Sequence, residues 1–205
     1  MIYTIGHSTH TASYFLEMLK TFSIDCVIDV RSIAASSYNP QFNKKALSTF
    51  LNINQITYLH FADEFGARHE NPKLLDYEGK VDFEKVRQSI SFKNGVERLR
   101  QGVFKGFTIA LMCSESDPFD CHRFSMVSIA LAKEGFEVKH ILKDMTLKSN
   151  AQLENRLLKK YEKKIPHPNI FESKVALDNQ LEVAYRLRNR EIAFSPNRQL
   201  EEKYD

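Results

Sequence analysis

The sequence predicts an α/β fold: a mostly parallel sheet of about five strands with flanking helices, plus a C-terminal helical extension. Three observations lead there. Across residues 1–142, short apolar runs alternate with stretches whose apolar residues recur at helical spacing. One run, Phe107-Thr108-Ile109-Ala110-Leu111-Met112, is apolar on both faces, as the central strand of a parallel sheet is. The chain has 205 residues, 42% hydrophobic and 27% charged, which suits one domain able to bury a core.

Taken in order, Ile2–Ile5 reads as the first strand. Phe15, Leu16, Met18, Leu19 and Phe22 follow at helical spacing. Cys26–Val30 reads as a second buried strand. Ala46, Leu47, Phe50 and Leu51 suit a helix after Pro40, and Ile56–Phe61 a third strand. Ala62–Lys80 carries Gly66, Pro72, Gly79 and many charges with little periodicity, so it reads as a long loop of the functional or mobile kind. Val81–Arg100 has a helical pattern with a break expected near Gly95. After the Phe107–Met112 strand, Asp120 is a good N-cap for a helix from Cys121 to about Lys133, and Gly135 stops it. Val138–Leu142 gives the fifth strand. The core domain is thus expected over residues 1–145. Residues 146–205 are expected to form a helical extension packed on it, with Leu153, Leu157, Leu158 and Tyr161 on one helix that Pro166 and Pro168 end, and a further helix near Gln180–Arg190.

Composition narrows the function classes. No run approaches the roughly 18 apolar residues of a membrane span, and Met1–Ile5 reads as a strand, not a secretion signal, so no membrane partner is expected. Three cysteines, Cys26, Cys113 and Cys121, give no even disulfide framework, which predicts a reducing, cytoplasmic setting. Residues 1–142 carry sixteen basic and sixteen acidic side chains, and residues 143–205 thirteen against ten. The net charge of +3 therefore lies in the C-terminal part, on what reads as a mixed solvated surface more than a polynucleotide footprint. Nothing in the pattern fixes the oligomeric state.

In open parallel sheets, ligands bind beyond the C-terminal strand ends. The chemistry-bearing residues gather there. The first strand runs into Gly6-His7-Ser8-Thr9 and the second into Asp29-Val30-Arg31-Ser32. The fourth runs into Cys113-Ser114-Glu115, with Cys121-His122-Arg123 following, and the fifth carries His140. Bland readings stand beside each. His7-Ser8-Thr9 can be a turn with a helix cap, and Asp29 and Arg31, which point to one side of an extended chain, can be a structural ion pair. Cys26 reads as core. Cys121 can be a small buried residue, with Arg123 paired to Asp29 or Glu115. The functional reading of Cys121-His122-Arg123 is a helix N-terminus that welcomes an oxyanion, a guanidinium fork, and a thiol made acidic by both.

Known nucleophile loops do not fit. A phosphatase-type loop needs Arg six residues after its Cys, where this chain has Phe119 and Val127. There is neither a Walker A loop nor a G-x-G-x-x-G. His7, Asp29, Cys113, Cys121 and His122 are acceptable metal ligands, yet the Cys-x7-Cys-His spacing matches no standard zinc pattern, so a metal is a lesser alternative and no cofactor is assigned. Two cysteines eight residues apart could also act as a redox pair.

The blocks Ile5-Gly6-His7-Ser8-Thr9, Asp29-Val30-Arg31, Pro40-Gln41-Phe42-Asn43, Met112-Cys113-Ser114-Glu115 and Pro118-Phe119-Asp120-Cys121-His122-Arg123 together resemble the signature of domain of unknown function 488. The resemblance covers roughly residues 1–145. It implies a small prokaryotic cytoplasmic α/β protein and no particular reaction. Family members often carry a proline where this chain has Ile33 and Ala34, and a paired glycine where it has Phe65-Gly66-Ala67.

The leading expectation is an enzyme acting on a phosphate-bearing or nucleotide-like small molecule, or on a nucleic-acid end. Arg31 and Arg123 would bind the anion, with Ser8 and Asp29 completing that side. Cys121 or Cys113 would be nucleophile or redox group, His7 or His122 acid or base, and Glu115 an orienting carboxylate. The alternatives are a non-catalytic nucleotide or nucleic-acid binding module, its basic face widened by Lys159-Lys160 and Lys163-Lys164, and a metal-dependent enzyme with His and Cys ligands.

Overall fold

Six strands form one sheet: β1 (Ile2–Gly6), β2 (Cys26–Asp29), β3 (Thr57–His60), β4 (Ile109–Cys113), β5 (Val138–Ile141) and β6 (Leu147–Ser149). They are seen in a computed structural model that describes residues 1–168 and 175–196; residues 169–174 and 197–205, the last of the expected extension, lie outside it. The order is β3-β2-β4-β1-β5-β6, with all neighbours parallel except β6, which runs antiparallel to β5. The α/β class and the five parallel strands are as expected. The added edge strand, Leu147-Lys148-Ser149, is too short to show alternation. It forms because the chain folds back at Leu142–Thr146, where Leu142 N donates to Thr146 O at 2.9 Å and Met145 takes φ 61°.

Strand residues alternate between two cores. Ile2, Cys26, Ile28, Val30, Ile109, Leu111 and Cys113 face one side, and Tyr3, Ile5, Val27, Ala110 and Met112 the other. The second side is covered by α1 (Ala12–Thr21) and α2 (Lys44–Ile53) through Phe15, Met18, Leu19, Leu47 and Leu51. The first is covered by α3 (Ala62–Phe65), α4 (Phe83–Gln88), α5 (Ile90–Phe104) and the segment leading into α6 (Ile129–Lys133). The connection leaving β1 therefore crosses one face toward β2, and the connection leaving adjacent β4 crosses the other toward β5. Adjacent strands whose connections diverge leave a crevice between their C-terminal ends, and β1 and β4 are such a pair.

Three local expectations are corrected. The long Val81–Arg100 helix breaks at Ser89, not near Gly95: Ser89 is extended and its hydroxyl accepts from Phe92 N at 3.2 Å. Gly95 lies inside α5, where a Cβ would stand 2.6 Å from Glu64 Cβ and 2.9 Å from the Phe65 ring; it permits α3 to touch α5. Ala62–Lys80 is not wholly loop, because α3 and a 3₁₀ turn at Pro72–Leu74 lie within it. Asp120 is not the N-cap expected of it. Pro118–Asp120 is a 3₁₀ turn capped by the Asp117 side chain, which accepts from Phe119 N, the chain is extended at Cys121, and Arg123–Ser128 is π-helical before α6 begins. Ser128 Oγ donates to Arg123 O at 2.7 Å, five residues back, which suits the wider turn.

The last two helices, α7 (Asn150–Lys160) and α8 (Leu177–Ile192), pack Leu153, Leu157, Ala184 and Tyr185 around Phe119 and Phe124. Arg188 of α8 is nearly buried. Its Nε donates to Phe119 O at 3.1 Å, NH1 to Glu191 at 2.8 Å, and NH2 to the Asp120 carboxylate. Asp120 thus spends its charge tethering the β4–α6 connection to α8. Arg188→Ala is expected to cost about 2 kcal/mol, because Phe119 O and Asp120 lose a charge-assisted partner; urea denaturation of variant and parent measures it.

Candidate functional site

The glycine that ends β1 sets how the crevice is built. Beyond the last ladder pair the two chains run on together: His7 N donates to Cys113 O and Ser8 N to Ser114 O, each at 2.9 Å. A Cβ on Gly6 would lie 1.9 Å from Glu115 O and 3.1 Å from Arg123 NH2. Only a residue without a side chain lets the Cys113–Ser116 turn fold over β1. Arg123, fully buried, then holds that turn from behind, with NH1 donating to Glu115 O at 2.6 Å and NH2 to Ser116 O at 3.0 Å.

On the α1/α2 side, Asp29 and Arg31 form the expected same-side pair. Arg31 Nε donates to Asp29 Oδ1 at 2.9 Å and NH2 to Oδ2 at 2.6 Å, a bidentate fork buried on both partners. NH2 also donates to Phe42 O at 2.7 Å. NH1 donates to His7 Nε2 at 3.0 Å. A guanidinium cannot accept, so His7 carries its proton on Nδ1 and donates it to Ser8 O at 2.8 Å. Burial, reinforced by the Arg31 charge, pulls His7 down to about 4. Its ring stacks on Phe42 at 4.3 Å. Tyr58 of β3 donates to Asp29 Oδ2 at 2.8 Å, and His60 bonds the Arg31 carbonyl at 2.8 Å. His7, Asp29 and Arg31 are therefore one closed frame, and the Pro40–Asn43 block belongs to it through Phe42.

On the other face, Cys113, Glu115, Cys121 and His122 meet. Cys113 Sγ donates to Glu115 Oε2 at 3.0 Å. His122 Nδ1 stands 3.8 Å from Cys113 Sγ and 3.8 Å from Cys121 Sγ, while its Nε2 reaches Val30 O at 3.1 Å. Since a carbonyl only accepts, Nε2 bears a proton and Nδ1 faces the sulfurs. Cys121 is extended where the helix begins, and its Sγ accepts from Arg123 N at 3.4 Å, in the place of a cap. Burial opposes ionisation of Cys121, but the adjacent Cys113 thiol and the charges of Arg123 and His122 hold it well below the ordinary thiol range. Burial and the neighbouring Cys121 push Cys113 well above that range. Burial lowers His122, and the negative Cys121 and Glu115 more than restore it, leaving the imidazole raised. Burial and then the Cys121 charge push Glu115 upward. All three cysteines are free thiols, and Cys26 lies in the core as expected.

The two groups meet at a cavity of about 410 Å³ walled by Arg31, Ser32, Arg68, Cys113, Glu115 and His122 among others. Cys121, just behind Cys113, does not line it, nor do His7, Ser8, Asp29 or Arg123. The expected anion grip is thus divided: Arg31 reaches the cavity, whereas the Arg123 guanidinium is spent on carbonyls. Arg68 was missed because a lone arginine in an aperiodic segment has no signal. It arrives because its N–H donates to Ser32 Oγ at 2.9 Å. Gly66, where a Cβ would meet Ala62 O at 2.3 Å, lets that segment close on the rim. His140 does not line the cavity. It is buried between Thr4 Oγ1 at 2.8 Å and Asn150, and burial with the Arg123 charge pulls it down to about 3. Lys159, Lys163 and Lys164 stand away from the cavity near the end of α7, where Lys160 pairs with Glu191.

The family model described as Domain of unknown function DUF488 matches residues 11–129, more than half of the chain, which therefore belongs to that family. No curated protein and no solved structure matches it. Among the described residues, no helix is long and apolar enough to cross a membrane.

Two outcomes follow from this geometry. Gly6→Ala should cost at least about 2–3 kcal/mol, since the clash is with backbone that cannot step aside; thermal and urea unfolding measure it. His7 and His140 bind protons less readily folded than unfolded, so stability is full above about pH 6.5 and falls as pH drops toward 4 and 3. From pH 7 to 5 each costs about 2 kcal/mol, and His140→Asn should reduce that loss in urea melts at the two pH values.

Proposed function

We propose that this DUF488 protein is an enzyme acting on a small anionic substrate, phosphate-bearing in the first instance, held in the cavity beyond the C-terminal ends of β2 and β4. One observation carries the reading: a single cavity is lined by Arg31 and Arg68 together with Cys113, Glu115 and His122, which carry a thiol, a carboxyl and an imidazole. Four of the five Arg31 N–H bonds are used within the Asp29 frame, and Asp29 neutralises its charge. Arg68 is exposed and enters no ion pair among the described residues, so the net attraction for an anion rests on it. Arg31 then orients the anion with its remaining N–H. Cys113, Glu115 and His122 offer groups fit for proton transfer, nucleophilic attack or metal ligation. A closed, rigid frame on one side and reactive groups on the other suit catalysis better than simple storage of a ligand.

Calorimetric titration with inorganic phosphate and a panel of nucleoside phosphates tests this. Binding is expected for the parent chain, about tenfold weaker in Arg68→Ala, the loss of one charge-assisted hydrogen bond. Affinity untouched by Arg68→Ala, or no anion bound at all, would overturn the reading.

A further inference from the structure

Cys113, Cys121 and His122 form, among the described residues, the one group of three potential ligands whose donor atoms all lie within 4.8 Å of one another. We propose that these three residues bind a single divalent zinc-class cation, with the fourth position turned toward the cavity. The proposal rests on the cavity reading above and names the chemistry of its reactive wall.

The geometry fits. Zinc bonds to sulfur at about 2.3 Å and to nitrogen at about 2.0–2.1 Å, so a tetrahedral ion separates a sulfur ligand from a nitrogen ligand by roughly 3.6 Å. His122 Nδ1 stands 3.8 Å from each sulfur. That is too long for a strong hydrogen bond to either and within a few tenths of an ångström of both tetrahedral edges. The ligand types fit as well, since two thiolates and an imidazole favour zinc over magnesium or calcium.

The surroundings are independent of the triangle itself. A ligating histidine is normally held by its other nitrogen, and His122 Nε2 is fixed on Val30 O at 3.1 Å, which leaves Nδ1 aimed at the sulfurs. Cys121 Sγ accepts the backbone N–H of Arg123, a donor to the sulfur that leaves its remaining lone pairs for an ion. The buried Arg123 guanidinium lies close behind the turn and offsets thiolate charge. Cys121 is enclosed, whereas Cys113 and His122 line the cavity, so an ion held by all three sits at the cavity wall. Glu115 is on that same wall, 3.0 Å from Cys113 Sγ, where it can ligate the ion or accept a proton from a water bound to it. Three protein ligands and a side open to a cavity are the arrangement of catalytic zinc, where the ion acts as a Lewis acid.

The sequence expectation had included His7 and Asp29 as ligand candidates. Both are excluded here, because His7 Nε2 accepts from Arg31 and both Asp29 oxygens are taken by Arg31 and Tyr58.

The test is made on the full chain, expressed with added zinc and purified without chelator. One zinc per chain is expected by elemental analysis. After stripping under reductant, Co²⁺ should give the visible bands of a tetrahedral site together with sulfur-to-cobalt charge transfer. His122→Ala removes a half-buried side chain and should weaken Zn²⁺ binding by more than about 100-fold, beyond what loss of an outer-shell partner costs. Cys113→Ser should abolish the charge-transfer band of the Cys113 thiolate and leave at most that of Cys121, with circular dichroism reporting the fold of both variants. Substoichiometric zinc with no cobalt bands in the reduced parent chain overturns the proposal, as does cobalt binding that survives in both variants. Inorganic phosphate titrated into the metal-free chain separates the two readings. Phosphate binding without any metal site leaves the anion cavity standing alone, and a stoichiometric metal without phosphate binding leaves the metal site alone.

Discussion

A guanidinium buried at the end of a sheet has five N–H bonds to satisfy, and the groups Arg31 draws in for that purpose hold together the rest of the site. It takes both carboxylate oxygens of Asp29, the carbonyl of Phe42 and the imidazole of His7. Each partner is thereby fixed in turn. Asp29 also receives Tyr58 from β3, His7 is left with one tautomer and clasps its own turn through Ser8 O, and the Pro40–Phe42 turn is docked over β1. Removing any single member would strand a buried charge or lone pair, at a cost larger than the net worth of the intact pair. Three strands and a loop distant in sequence are locked by one side chain.

Arg123 plays the matching part on the opposite face. It is buried yet faces carbonyls, and its reach fixes the Cys113–Ser116 turn over Gly6. That placement has an electrostatic consequence. The same positive charge that holds the turn lowers Cys121 and, across the strand, His140. The unusual start of the following helix belongs to the same arrangement. With the chain extended at Cys121, the sulfur takes the position a capping oxygen would hold, and His122, just before the π-helical turn, stands 3.8 Å from Cys113 Sγ. A regular α-helix begun at Asp120 would have put the thiol into the first turn and freed Asp120 from Arg188.

The cavity lies where these two rigid constructions meet. Its walls come from the chain just after β2, the end of β4 and the turn that follows, the aperiodic segment after α3, and Ile192 and Phe194 at and just beyond the end of α8. The family match ends at residue 129, before α7 and α8. Part of the cavity rim, at Ile192 and Phe194, therefore comes from chain outside the matched region.

Much of this was legible in the residues alone. The alternation of apolar runs determined an α/β sheet, because periods of 2 and 3.6 are local properties of the backbone. It also determined that His7, Asp29, Arg31, Cys113 and Cys121–Arg123 lie at strand ends, and the same-side pairing of Asp29 with Arg31 followed from a two-residue step. What remained hidden required register and direction between strands far apart in sequence. Pairing Asp29 with Met112 and Gly6 with Cys113 puts Arg31 on one face of the sheet and Cys113 on the other. Composition cannot show that parity, so one expected pocket of interchangeable ligands became two separate constructions. Arg68, Tyr58 and the backbone carbonyls of Phe42 and Val30 were equally hidden, since a carbonyl carries no residue identity and the others reach the site only through tertiary contacts. The sequence by itself determined which chemistry collects at the sheet edge. The tertiary structure alone decided which groups are consumed as scaffold and which face the cavity, because only packing determines where a buried polar group finds its partner.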